Sequence, residues 1–502
     1  MTRAPGEYDV VVAGAGSAGC VVAWSLVRAG YRVALVEAGP DYGPRGSGRW
    51  PPELLDARER PERHDWGLRA ILRPGVRDAE PRAKVVGGCS AHNECAAVWP
   101  PPRDFDAWRS APWRWRALAP LARRLERARG GARFRGRAGP LPTRAADDRE
   151  LSPFQAAFLR SARAAGLPRL NDISDPRPIA GAAPFHANER DGVRWNASFA
   201  FLDPIRGRDA LAILDRTTAE RLRIDRDGRA EALRCRRGRE TVDLRARVFV
   251  LCGGVYGSPA LLHRSGVRSP ALGRGLQDHP GVALEYLPRS RAAAAVLRRG
   301  RTSRGQVMAR IASGATREWD VHLVPYQRSR DELLILAFLM QPHSRGRLRF
   351  GRGPMPSRIE FAFFQRAARD RDAIVAAVAI ARSIAARPPL SDLVEEVAPG
   401  TRVRGRKLRR WIDEQVGGYA HAVGTCRMGP RAAGGVVGQN GRVHGLANVY
   451  VADASTVPVI PRANMNLPTM LVALRVAENV GAALGRRPRA SAPRSVARAP
   501  SR

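Results

Sequence analysis

From residue 8 the chain runs Tyr-Asp-Val-Val-Val-Ala, an apolar stretch with almost no alternation, which predicts a strand buried on both faces. Ala18–Ala29 then carries apolar positions at helical spacing, and Tyr31–Val36 is a second buried run ending at Glu37. Strand, helix and strand make one βαβ unit, so a parallel sheet is expected. Ala210–Leu214, Arg245–Leu251 and Asn448–Asp453 read as further strands. Helices are predicted over 115–128, 154–165, 372–385 and 469–484, and another starting near Ser258-Pro259, since proline suits a first helical turn. Between about 282 and 363, short segments such as Leu333–Phe338 and the alternating Arg347–Phe350 predict a mostly antiparallel sheet. Gly39 to Arg82 is rich in proline, glycine and charge and is expected to be an extended excursion. The aperiodic Arg/Pro/Ala/Ser tail, 486–502, is expected to be disordered.

A chain of 502 residues exceeds the roughly 250–300 at which one core stops growing, so two domains are expected. No run approaches the ~18–20 consecutive apolar residues of a membrane span, Ile374–Ala381 being too short. The first residues carry no charged segment followed by an apolar core and a cleavage site, which makes a cytoplasmic location the expectation. Six scattered cysteines without CxxC spacing predict neither a disulfide framework nor a metal site, and are expected as small buried apolar residues. The net charge of +38 is almost all arginine, Lys84 and Lys407 being the only lysines. Such a field attracts anions. No recognition motif accompanies it, so no specific nucleic-acid partner is expected.

Gly14-Ala15-Gly16-Ser17-Ala18-Gly19 lies between the first strand and the first helix. In such a GxGxxG turn Gly14 permits the bend, Gly16 lets backbone approach a pyrophosphate, and Gly19 lets helix and strand pack closely. The amides and helix dipole then face the anion. Glu37, with Ala38 beside it, stands where a carboxylate bonds ribose hydroxyls. A dinucleotide is therefore expected, without a choice between FAD and NAD. A second glycine pair, in Lys84-Val85-Val86-Gly87-Gly88-Cys89-Ser90-Ala91-His92-Asn93, lets backbone approach a large flat ligand with His92 beside it.

With these two stretches the chain resembles the glucose-methanol-choline (GMC) family of FAD-dependent alcohol oxidoreductases. The likeness continues in family order through Gly253–Leu262 with Ser265-Gly266, Leu276–Pro280, Ser344–Gly346, His421–Gly429, Val451–Ser455 and Asn464–Asn466, so it covers about residues 8 to 485. It implies an α/β (α+β two-domain) fold: a Rossmann-like FAD-binding domain, and a substrate domain built on a mostly antiparallel sheet flanked by helices. The first would comprise 1–150, 205–285 and 420–485, the second 151–204 and 286–419.

The resemblance also implies residue roles. Val86, Gly87, Gly88, Ser90, His92 and Asn93 would approach the flavin. The segment around His92 is most similar to choline-oxidising members, which implies a covalent bond from that histidine to FAD. Asp453 and Ala454 would contact the ribityl chain and pyrophosphate. Asn466, Pro468 and Thr469 would lead into a helix whose positive end faces the flavin pyrimidine, and Ala219 would touch the adenine. His421 would act as general base on the alcohol hydroxyl while hydride passes to flavin N5. An imidazole is suited to that task, and such assistance is typically worth ~10²–10⁴-fold in rate. Asn464 would donate a hydrogen bond to the developing alkoxide. His279, in Asp278-His279-Pro280, is expected to be structural.

The stretch Arg301–Ser313 holds neither an acid nor an aromatic with which to cage a quaternary ammonium. Choline is thus disfavoured, and an anionic or polyhydroxylated alcohol is expected, with oxygen or another electron acceptor. Glu94, just beyond His92, would either perturb the site or bind a polar substrate, or else pair with Arg103 or a neighbour. The alternative within the family is a flavin-containing hydroxynitrile lyase using the same histidine without net redox.

Overall fold

The computed structural model describes residues 8–485, apart from 60, 300–303, 317 and 330. The tail expectation therefore lies outside the described residues. Two large sheets organise the rest.

The first holds the βαβ unit. Tyr8–Ala13 pairs in parallel with Val33–Val36 on one side and with the end of Glu240–Leu251 on the other, Val12 aligning with both Leu35 and Val250. Leu211–Leu214 extends the parallel layer past Val33–Val36, and Val449–Val451 extends it past Leu251. The near half of Glu240–Leu251 instead pairs antiparallel with Ala230–Arg237, which pairs with Thr217–Ile224. The parallel strands read as unbroken apolar runs because helices cover them. Ser17–Arg28 and Asn466–Leu484 pack together over the sheet, both burying most of their apolar residues. The latter is the one described helix long and apolar enough to cross a membrane, but it is largely buried in the core.

The second sheet is antiparallel, in the order Val394–Ala398, Pro280–Pro288, Leu333–Leu339, Val321–Gln327, Val307–Ile311 and Gly181–Pro184. Strand alternation assigns its two faces. Leu333, Ile335, Ala337 and Leu339 join the core with Ala368–Ala385 and Pro153–Ala164. Leu334, Leu336 and Phe338, with Met308, Val324 and Tyr326, face a cavity between the two sheets.

Several expectations are corrected. The stretch 39–82 contains a hairpin, Arg69–Arg73 with Val76–Ala79, which joins a smaller sheet through Arg358–Glu360. The helix predicted over 115–128 ends at Leu125, and Glu126–Arg129 is a strand. The helix predicted from Ser258 begins at Gly254, so Pro259 lies inside it. Proline cannot donate to the carbonyl four residues back, and the Thr425 hydroxyl donates to that Val255 carbonyl instead, at 2.6 Å. Of the cysteines, five are buried and unpaired, whereas Cys89 is exposed.

Candidate active site

The cavity has a volume of about 1650 Å³ and brings together residues from both ends of the chain. Typical small-molecule sites are ~300–1,000 Å³, so there is room for a dinucleotide and a substrate together. One end is floored by glycine loops. Gly14 has φ +106°, and a Cβ there would come within 2.5 Å of the Cys252 carbonyl. A Cβ on Gly88 would lie 2.5 Å from the Gly16 Cα, so the two loops meet backbone to backbone. Glu37 stands on the same wall. Its carboxylate accepts from the Ala15 and Gly39 amides at 2.9 Å each, and burial raises its pKa against those donors. Ser17 donates to Asn466 Oδ1 at 2.9 Å.

Four buried polar atoms on residues of the wall have no partner: His64 Nδ1, His92 Nε2, Asn464 Oδ1 and Asn466 Nδ2. Burial without a partner costs ~1–3 kcal/mol for each such group, a cost that a ligand bonding them from the adjoining cavity would offset. With the glycine floor, they fit FAD.

The far end of the cavity is built around His421. Segment 277–279 runs beside 419–423: Gln277 and Val423 exchange backbone bonds, and the Tyr419 amide donates to the His279 carbonyl. Asp278 Oδ1 accepts from the amides of both His279 and His421, at 2.7 and 2.9 Å. One carboxylate oxygen thus clamps both histidines. Ala420 has φ +60°, a left-handed backbone that costs a non-glycine residue ~1–2 kcal/mol and sets the turn into His421. The ring is flanked by Tyr419, centroids 4.3 Å apart, and Tyr419 stacks on Phe338 at 3.8 Å. Asn464 Nδ2 lies 3.4 Å from His421 Nε2. Arg462, bonded to Asp104 and Glu318, anchors the loop that carries Asn464.

Burial drives the pKa of His421 well below the ordinary histidine value, and His279, His322 and Arg82 add to that. A neutral imidazole with a free lone pair can therefore take a proton here. Behind it Asp278 is pushed up to about 7, chiefly by burial, with Glu80 nearby adding and Arg82 opposing. His92 is pushed down to about 4 by burial.

Of the expected cofactor residues, Gly14, Gly16, Ser17, Ala18, Glu37, Ala38, Gly88, His92, Asn93, Ala219, Asp453, Ala454, Asn466 and Thr469 line the cavity, as do His421 and Asn464. Gly19, Val86, Gly87, Ser90 and Pro468 do not. A Cβ on Gly19 would come within 1.8 Å of the Gly14 carbonyl, so its role is packing. Val86 is fully buried in the core. The Gly87 amide donates to the Ala15 carbonyl. Ser90 staples its loop, donating to the Gly87 carbonyl and accepting from the Ala197 amide. Pro468 is buried within the helix that begins at Asn466.

Asp453 reaches the wall, yet its carboxylate already accepts from the hydroxyls of Ser258 and Ser455 and the amides of Gly254 and Ser455. That carboxylate clamps these segments together at the cofactor end of the wall. Glu94 pairs with Arg304 at 3.6 Å and accepts from the Tyr326 hydroxyl at 3.1 Å, while Arg103 pairs with Glu318. The wall therefore has an acid and aromatics that Arg301–Ser313 lacks, supplied from other segments. His279 is a direct neighbour of His421. The sequence suggested only a structural part for it, and Phe338 and Tyr419 did not stand out, because their roles come from register across the second sheet.

The family model described as GMC oxidoreductase matches residues 8–281 in its N-terminal part and 342–473 in its C-terminal part. The chain is 30% identical to the 5-(hydroxymethyl)furfural oxidase of Methylovorus sp. (strain MP688), over 94% of this chain and 98% of that one. It is 29% identical to the choline oxidase of Arthrobacter globiformis, over 95% of each. Among solved structures it is similar to pyridoxine 4-oxidase from Mesorbium loti, with a TM-score of 0.85 and 28% identity, covering 94% of this chain and 98% of that one.

Proposed function

The chain belongs to the GMC oxidoreductase family, FAD-dependent enzymes that act on alcohols, and from that premise we propose that it oxidises a primary alcohol carried on a neutral apolar or aromatic body. The observation that carries this reading is the pairing of His421 with Asn464 in the cavity that the glycine loops floor. The bound flavin supplies a two-electron acceptor for hydride. The protein's part is to remove the hydroxyl proton, steady the charge and orient the carbon. His421 Nε2 takes the proton, and the Asn464 amide donates to the oxygen as charge develops.

The substrate class follows from the wall around His421. Phe185, Met308, Val324, Leu336, Phe338 and Tyr419 line it, a surface that favours an apolar or aromatic body over the anionic or polyhydroxylated alcohol expected from charge. The Arg304 guanidinium is offset by Glu94, leaving little net charge to recognise an ion of either sign. The relatives named as oxidases of 5-(hydroxymethyl)furfural and pyridoxine support the same reading. Oxygen is the proposed electron acceptor, again by likeness to oxidases. A covalent bond from His92 to the flavin is supported by an Nε2 that is buried and partnerless, on a ring that burial keeps neutral. The six unpaired cysteines suit a reducing cytoplasm. The lyase alternative finds no support among the relatives.

Anaerobic flavin bleaching tests the assignment. Benzylic or furanic alcohols should bleach the holoenzyme at lower concentration than choline or glycerol. A preference for choline or for glycerol would overturn the substrate class.

A further inference from the structure

We propose that His279 is a positioning residue that fixes the tautomer of His421, so that the base presents an unprotonated Nε2 to the cavity. This rests on the reading of His421 as the base. The two imidazoles meet nitrogen to nitrogen, His279 Nδ1 lying 3.2 Å from His421 Nδ1, with their planes at 85°. One of these two atoms must carry a proton and the other a lone pair. Which is which is decided two bonds further on.

His279 Nε2 lies 3.2 Å from the Pro461 carbonyl. A carbonyl only accepts, so His279 Nε2 carries hydrogen. The ring is fully buried, and burial pushes its pKa down to about 3 against the pull of the Pro461 and Met340 carbonyls, so it holds a single proton. Its Nδ1 is therefore a lone pair, and His421 Nδ1–H donates to it. A neutral His421 with hydrogen on Nδ1 has its lone pair on Nε2, the atom that faces the Asn464 amide donor at 3.4 Å. The opposite tautomer would set two lone pairs against each other at the Pro461 carbonyl, and two N–H groups against each other between His421 Nε2 and Asn464 Nδ2.

The chain Pro461 carbonyl, His279, His421, Asn464 thus has one consistent direction of hydrogen bonding. When His421 Nε2 takes the hydroxyl proton, both its nitrogens carry hydrogen, and His279 Nδ1 still accepts from Nδ1–H. A neutral imidazole does here what a carboxylate does in other histidine sites, orienting the ring without adding a buried negative charge. Asp278 holds the two backbones so that the rings meet.

The test is the nitrogen NMR spectrum of holoenzyme labelled with ¹⁵N-histidine. The protein has nine histidines, and the His421 signals are assigned as those lost in His421→Asn. The expected wild-type spectrum shows protonated Nδ1 and unprotonated Nε2 for His421. His279→Leu should scramble that pattern and lower kcat about 10–100-fold, less than the ~10²–10⁴-fold that loss of the base itself would cost, at unchanged flavin content and KM. His279→Asn, whose amide oxygen can accept near the position of Nδ1, should restore both. Hydrogen on Nε2 of wild-type His421, or an unaltered tautomer and kcat in His279→Leu, would overturn the proposal. Should His279→Leu fail to fold, the wild-type spectrum and His279→Asn still decide. Failure of the base reading is separate: it would appear as full turnover in His421→Asn whatever the spectrum shows.

Discussion

Gly16→Ala separates what the protein needs from what the cofactor needs. Gly16 has φ −76°, so alanine is not strained there, and the nearest atom to the added Cβ is the Gly88 Cα at 3.7 Å, an ordinary contact. The substitution should therefore leave the stability of the flavin-free protein within about ±0.5 kcal/mol of wild type, like other changes away from special features. The methyl nonetheless stands on the cavity floor where a pyrophosphate must approach the backbone. Losing one or two amide bonds to a charged group, ~1.5–3 kcal/mol each, raises Kd about 10–100-fold for each bond lost, at about 1.4 kcal/mol per tenfold. The measurement is FAD titration by fluorescence in a His92→Ala background, where the cofactor remains dissociable, with calorimetry of the apoprotein beside it. Gly88→Ala is the contrast: at φ +54° and with a Cβ 2.5 Å from the Gly16 Cα, it should destabilise the apoprotein itself. Unchanged FAD affinity in Gly16→Ala would refute the assignment of this loop.

Three further outcomes follow from the site. Acid-precipitated wild-type protein should remain yellow and His92→Ala should release its flavin; a colourless wild-type pellet rules out the covalent bond. Because burial holds His421 well below the ordinary histidine pKa, kcat/KM should stay flat as pH falls through 6.5 and decline only further down; a base that protonates near 6.5 would contradict this. Asp278, raised from 3.8 to about 7, binds its proton more tightly folded than unfolded, so its contribution to stability is full below pH ~4 and lost as pH rises through 7. Asp278→Asn, which cannot ionise, should thus gain stability over wild type between pH 4 and pH 8 by thermal denaturation, and an unchanged difference would place the ionisation elsewhere.

The cofactor end of the site was legible in the sequence because its devices are local. Gly14, Gly16 and Gly19 sit within one turn, and the buried strands around them read as short apolar runs. The substrate end was not. Leu333–Leu339 is apolar at every position, so nothing in the run tells that Leu336 and Phe338 face the cavity while Ile335 and Ala337 face a helix. Asp453 was expected at the cofactor, and only the fold reveals that its carboxylate also clamps Ser258, Gly254 and Ser455. His279 is 142 residues from His421 in sequence, and only pairing of 277–279 with 419–423 makes them neighbours.

The central claim is that His421, from the C-terminal third, is the base for oxidation at a flavin held by the N-terminal glycine loops. Stopped-flow reduction of the bound flavin by a benzylic alcohol without oxygen, compared between wild type and His421→Asn, tests it. The prediction is full flavin occupancy and reduction slowed about 10²–10⁴-fold. Equal reduction rates at equal occupancy would contradict it.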